Sequence, residues 1–156
     1  MPSTTTTTTP TTARVDLRGP RFAAAVTSAV LAGVLLAGPH LGLALLVVQA
    51  FAFGAGALLG LRYQPYGWFF RHYVRPRLGE PADLEDERPP RFAQAVGFGF
   101  ALLAIAGALA HVDALFYVAA GFALAAALLN AVFDFCLGCE LYLLGARVLG
   151  RRGSSR

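Results

Sequence analysis

Two long stretches of the chain carry almost no charge. Residues 22 to 61 contain no charged side chain unless His40 is protonated, and residues 92 to 133 contain only Asp113 and the usually neutral His111. Each is about 40 residues long, twice the roughly 20 that a helix needs to cross a hydrocarbon core of about 30 Å. Each stretch therefore predicts two spans joined by a turn. In the first, "LAGPHLG" places Gly38, Pro39 and His40 at the midpoint, where proline removes a backbone donor and disfavours a continued helix. In the second, "LAHVDA" places His111 and Asp113 there. The expected spans are about 22 to 38, 42 to 61, 92 to 110 and 114 to 133. The fold class is all-α, a four-helix transmembrane bundle of two tight antiparallel hairpins.

The two hairpins resemble each other. "RGPRFAAAV", starting at Arg18, and "RPPRFAQAV", starting at Arg88, agree at seven of nine positions with an offset of 70 residues. At the same offset "GALLG" at 56 to 60 lies over "AALLN" at 126 to 130. Such self-similarity points to a duplicated two-helix unit. Because each unit crosses twice, the copies share one orientation and are expected to be parallel repeats about a pseudo-twofold axis along the membrane normal. Pro20 and Pro90 suit a helix start. Arg21 and Arg91 suit headgroup-level anchoring at the start of a membrane helix. The expected organisation is a disordered Thr-rich tail at 1–13, repeat one at 14–87, repeat two at 88–150 and a basic tail at 151–156.

Composition agrees with a membrane protein: 56% of residues are hydrophobic and 14% charged, too apolar for a soluble domain of this size. All 13 basic residues are arginines, and all lie in the N-terminal segment, the connector at 62 to 91 or the C-terminal tail. The positive-inside rule then puts both termini and the connector in the cytoplasm and the two short turns outside. Arg14, Arg18 and Arg21 ahead of an apolar run imitate a secretory signal, but a second apolar span follows at once, so an uncleaved first helix is expected. Arginine without lysine, with abundant alanine, suggests a bacterial source and hence an inner membrane.

Within the connector, a helix from Pro65 to Arg75 would align Tyr66, Phe69, Phe70 and Tyr73 on one side and Arg71 and Arg75 on another. That is the pattern of a helix lying in the interface of the lipid bilayer beside anionic lipid headgroups. The five acids between Glu80 and Glu87 read as a solvated linker.

The two cysteines of the chain lie in "FDFCLGCELYLLG", residues 133 to 145, as Cys136-x-x-Cys139. The offset of 70 puts them over Tyr66 and Phe69, at the cytoplasmic end of the fourth span. On a continuing helix the two sulfurs and Glu140 share one face, while Asp134 points away and Gly138 loosens the helix. Three readings stay open. A reversible dithiol or sulfur relay needs two neighbouring thiols and an accessible edge; the C-terminal end of a helix and a nearby glutamate both oppose thiolate formation. A metal site lacks a second pair of ligands unless His72 and Glu140 complete it. Inert packing or acylation needs nothing more.

The paired Arg-x-Pro-Arg-Phe segments, the short four-helix layout and the closing "FCLGCELY" resemble the bacterial membrane proteins catalogued as domain of unknown function 4395 over about residues 14 to 149. The resemblance implies the same architecture and a characteristic cysteine motif. It also implies a thioredoxin-like or rhodanese-like soluble partner, which favours Cys136 and Cys139 as the reactive residues, with Glu140 beside them.

Other classes find little support. Transporters coupled to ions place ionisable groups inside the bundle, whereas the spans offer only Thr27, Ser28, Gln49, Gln94 and Asn130. Small residues from Gly54 to Gly60 suit close helix packing or a homo-oligomer. His40, His111 and Asp113 share the outer end but need no metal. No cofactor motif, triad, phosphate loop or nucleic-acid module is visible. The expected function is thiol redox or sulfur exchange at the cytoplasmic face; the alternative is a small transport or scaffold module with structural cysteines.

Overall fold

In the computed structural model residues 14–80 and 84–152 are described, and the Thr-rich tail at 1–13 and the end of the basic tail lie outside them. The elements are β1 (Arg14–Asp16), α1 (Arg18–Gly54), α2 (Pro65–Phe69), α3 (Arg75–Leu78), β2 (Leu84–Asp86), α4 (Arg88–Leu109), α5 (Asp113–Phe133) and α6 (Leu137–Arg152). Three helical segments are long and apolar enough to cross a membrane: Arg18–Leu59, Arg88–Leu109 and Asp113–Phe133.

The first of these is not one straight rod. Gly38 leaves the helix at φ 74° and ψ −178°, a conformation open to glycine and compatible with the proline that follows. The limbs on either side then face each other. Gln49 Nε2 donates to Thr27 Oγ1 at 3.3 Å, although 22 residues of straight helix would separate them by about 33 Å. A Cβ on Gly42 would meet the Val34 carbonyl oxygen at 2.5 Å, so the reversal demands glycine there. α4 and α5 are joined as tightly. His111 takes φ 56°, Val112 N–H donates to Gly107 O at 2.8 Å, and a Cβ on Gly107 would stand 2.6 Å from Phe116 N. Both turns lie at one end of the molecule, where the His40 and His111 rings sit 6.2 Å apart.

The limbs of α1 pack with α4 and α5 around Leu31, Val34, Leu46, Phe53 and Phe116, against a small-residue surface of Ala101, Ala104, Ala119, Ala120 and Ala123. Alanines bring helix backbones close, which is how helices associate where lipid removes the hydrophobic drive. The outer faces are apolar too: Leu36 is 90% exposed, Phe51 75% and Leu58 73%. A helix apolar on all sides belongs in lipid or in a larger core. Gln49 is fully buried; besides donating to Thr27 it accepts from the Tyr66 hydroxyl at 2.9 Å. Gln49→Leu strands both partners and is expected to lower stability by about 1 kcal/mol, read as a fall in Tm in detergent.

At the end opposite the turns the structure adds elements absent from the sequence expectation. β1 and β2 pair antiparallel, with Arg14 opposite Asp86, Val15 opposite Glu85 and Asp16 opposite Leu84. The acidic segment is thus partly structured and not wholly a solvated linker. Glu87 accepts from Leu61 N–H at 2.8 Å. Asp16 accepts from Arg18 N–H at 3.0 Å and pairs with the Arg18 guanidinium at 3.0 Å, and Asp86 accepts from Arg88 N–H at 2.9 Å. Burial pushes Asp16 up, but the Arg18 hydrogen bonds and charge outweigh it and hold the carboxyl below its ordinary range. Arg21 donates to Ala131 O at 3.1 Å, and Arg91 to Ala57 O at 3.0 Å; both cap carbonyls at helix ends.

The connector helix departs from the expected one-sided stripe. A wider π-type turn at Phe70–Val74 links α2 to α3 and shifts the register of its faces. Phe70 is buried, 3% exposed, while Trp68, Phe69 and Tyr73 remain about half exposed.

Candidate dithiol site

The cysteine segment is broken where the sequence suggested continuity. α5 stops at Phe133, and Asp134 takes the left-handed conformation, φ 56° and ψ 27°, which aspartate tolerates better than most residues. Residues 134–136 are irregular and α6 begins at Leu137. The expectation of one continuing helix is therefore corrected. Cys136 immediately precedes α6, and Cys139 lies in its first turn, closed by Glu140 N–H donating to Cys136 O at 3.1 Å. The electrostatic sign reverses with it: the cysteines sit at a helix N-terminus, whose unpaired N–H groups favour a thiolate, and not at a C-terminus that opposes one.

Gly138 seats this turn on the bundle. A Cβ there would lie 2.6 Å from both Cα and Cβ of Ala93 in α4. The glycine expected to loosen a helix instead permits close contact between two. Farther along, Tyr142 packs on Phe92 with ring centroids 5.8 Å apart. α6 is thus held against α4 after leaving the line of α5.

The two cysteines are joined as a disulfide, with Cα atoms 5.2 Å apart, inside the range such a bond tolerates. Both are partly buried, whereas Asp134 and Glu140 are exposed. Glu140 is thus tied to the pair through its backbone, and its carboxylate faces solvent. His72, considered as a fourth metal ligand, is engaged elsewhere: Nδ1 is 2.9 Å from Trp68 O and the ring lies 4.5 Å from the indole. Among the described residues no three His, Cys, Asp or Glu side chains converge.

Cys136 also borders a cavity of about 230 Å³ that sequence reasoning missed. Its lining includes Thr27, Phe100, Ala127, Leu141 and the two amides Gln94 and Asn130; Cys139 is not part of it. Gln94 and Asn130 were visible as polar residues within apolar helices, but their convergence with Cys136 depends on how the hairpins pack. A separate concavity of about 200 Å³ lies over the strand pair and connector, lined by Arg14, Arg62, Arg71 and Arg75 together with Asp16 and Glu87.

The family model described as a domain of unknown function, DUF4395, matches residues 15–147. No match was found among curated proteins or among solved structures.

Proposed function

The chain belongs to the DUF4395 family, and we propose that it is a multi-pass bacterial inner-membrane protein exchanging electrons or sulfur with a soluble thioredoxin-like or rhodanese-like partner through Cys136 and Cys139. The observation that carries this reading is the pair's place at the N-terminus of α6, bonded and only partly buried. A buried pair at a helix C-terminus would suit packing; a partly exposed pair at an N-terminus suits a thiolate nucleophile. In the exchange, the Cys139 thiolate attacks a sulfur of the partner's disulfide and releases the other partner sulfur as thiolate. Cys136 then attacks the mixed disulfide, forming the intramolecular bond and freeing the reduced partner. Run backwards, the same steps reduce the pair.

The membrane frame of this reading is four spans in two tandem copies. Three features support the copies. Val15 and Glu85, 70 residues apart, face each other at the centre of the strand pair, as a twofold axis requires. Asp16 with Arg18 and Asp86 with Arg88 repeat one helix-start contact. Arg21 and Arg91 each reach the second helix of the other copy. Arginine placement supports cytoplasmic termini, and the arginine-lined concavity suits anionic lipid headgroups.

The test uses the reduced full-length protein in oriented vesicles. A membrane-impermeant maleimide is expected to label Cys139 in inside-out vesicles and not in right-side-out ones, and prior oxidation should protect both thiols. Cys136→Ser, which leaves the attacking thiol without its resolving partner, should accumulate a mixed disulfide. If both thiols stay unlabelled until detergent is added and Cys136→Ser traps no partner, the cysteines are structural and the scaffold or transport reading replaces this one.

A further inference from the structure

We propose that the cavity beside Cys136 binds the ring of a lipid-soluble quinone, which exchanges electrons with the Cys136–Cys139 pair. The inference rests on the dithiol reading above and adds the second redox partner.

Cys136 lines the cavity and Cys139 does not, so within one dithiol Cys136 is the residue placed to meet a ligand there, and Cys139 is left for the soluble partner. The walls are chiefly apolar, with a few convergent polar groups, the pattern of small-molecule sites. At about 230 Å³ the space is smaller than the roughly 300–1,000 Å³ of sites for drug-sized ligands. It suits a single substituted ring and not a whole lipid. Phe122 and Leu141 on its border are 61% and 50% exposed on the outer apolar surface, which leaves a path for an isoprenoid tail into the bilayer.

The Gln94 oxygen accepts from Gln64 Nε2 at 3.0 Å, which leaves its NH₂ as a donor and one further lone pair on the oxygen. Asn130 lines the same cavity and brings a second amide, with both a donor and an acceptor. Two amides in a chiefly apolar cavity can donate to the two carbonyls of a quinone and can accept from the hydroxyls of the quinol it becomes. The redox stoichiometry matches: two S–H bonds break and one S–S bond forms, and the two electrons and two protons convert both ring carbonyls to hydroxyls. The sulfurs are oxidised and the quinone is reduced.

The experiment uses reduced full-length protein in lipid nanodiscs, with a fully substituted benzoquinone bearing a decyl tail as probe, so that no ring carbon is open to thiol addition. One quinol is expected per disulfide formed. Ala127→Leu, which fills the cavity, should slow this reaction about tenfold or more while leaving oxidation of the pair by oxidised glutathione unchanged. Asn130→Ala should slow it by a smaller factor. The double variant Cys136→Ser with Cys139→Ser should still gain Tm on adding the quinone, which reads the cavity without the thiols and holds even if Ala127→Leu folds poorly. If glutathione oxidises the pair but the quinone neither oxidises wild type nor raises the Tm of the double variant, the cavity proposal falls and the dithiol reading stands. If the double variant gains Tm but neither oxidant acts on wild type, the dithiol reading fails and electron exchange fails with it. Equal quinone rates in wild type and a folded Ala127→Leu overturn the site.

Discussion

Gly42→Val should prevent the first hairpin from closing. The new Cβ would meet the Val34 carbonyl oxygen at 2.5 Å and its carbon at 3.2 Å. These are backbone atoms of the opposing limb, which no rotamer change can move aside. Overpacking usually costs about 1–3 kcal/mol, and collision with the backbone of Val34 puts this case at or beyond the top of that range. The expected result is loss of folded protein after extraction, or a large fall in Tm where some folds. Gly107→Val should act alike in the second hairpin, because its Cβ would lie 2.6 Å from Phe116 N. Gly99 also sits in α4, but a Cβ there would meet no packed neighbour within 4 Å among the described residues, so Gly99→Val is the matched control and should change little. If Gly42→Val and Gly99→Val melt alike, the two limbs of α1 do not pack as described.

Gly138→Leu should detach the start of α6 while leaving the four long limbs together. Its Cβ would collide with Cα and Cβ of Ala93, and relief requires moving the first turn of α6 away from α4. Because that turn carries Cys139 and follows Cys136, the consequence reaches the pair. Labelling of both thiols by an impermeant maleimide should accelerate several-fold, and the destabilisation of the bundle should stay near the lower end of about 1–3 kcal/mol. Gly138→Ala should fall between. Unchanged labelling together with unchanged Tm in Gly138→Leu would show that α6 does not rest on Ala93.

The cysteine pair shows how far local sequence carries. Its spacing and its place near the end of the last apolar span are readable from residues 133 to 145 alone, but the direction of the helix dipole at the sulfurs is not. That direction depends on Asp134 adopting the left-handed conformation, which costs a residue other than glycine about 1–2 kcal/mol and which accompanies the close fit of Gly138 against Ala93, 45 residues earlier in the chain. The connector shows the same limit: Tyr66 and Phe70 can be recognised as aromatic helix residues, while the turn that points them inward follows from contacts with Gln49 and Gly19.

The sequence by itself determined the two uncharged stretches, the reversals at Gly38 and His111 and the all-helical class, because hydropathy, proline and glycine act within a few residues of where they stand. Only the tertiary structure decided the pairing of β1 with β2, the reach of Arg21 and Arg91 to distant carbonyls, the N-terminal setting of the cysteines and the cavity that meets Cys136. Each of these joins groups far apart in the chain, and their free energy comes from backbone approach and hydrogen bonds that exist only once the hairpins have packed.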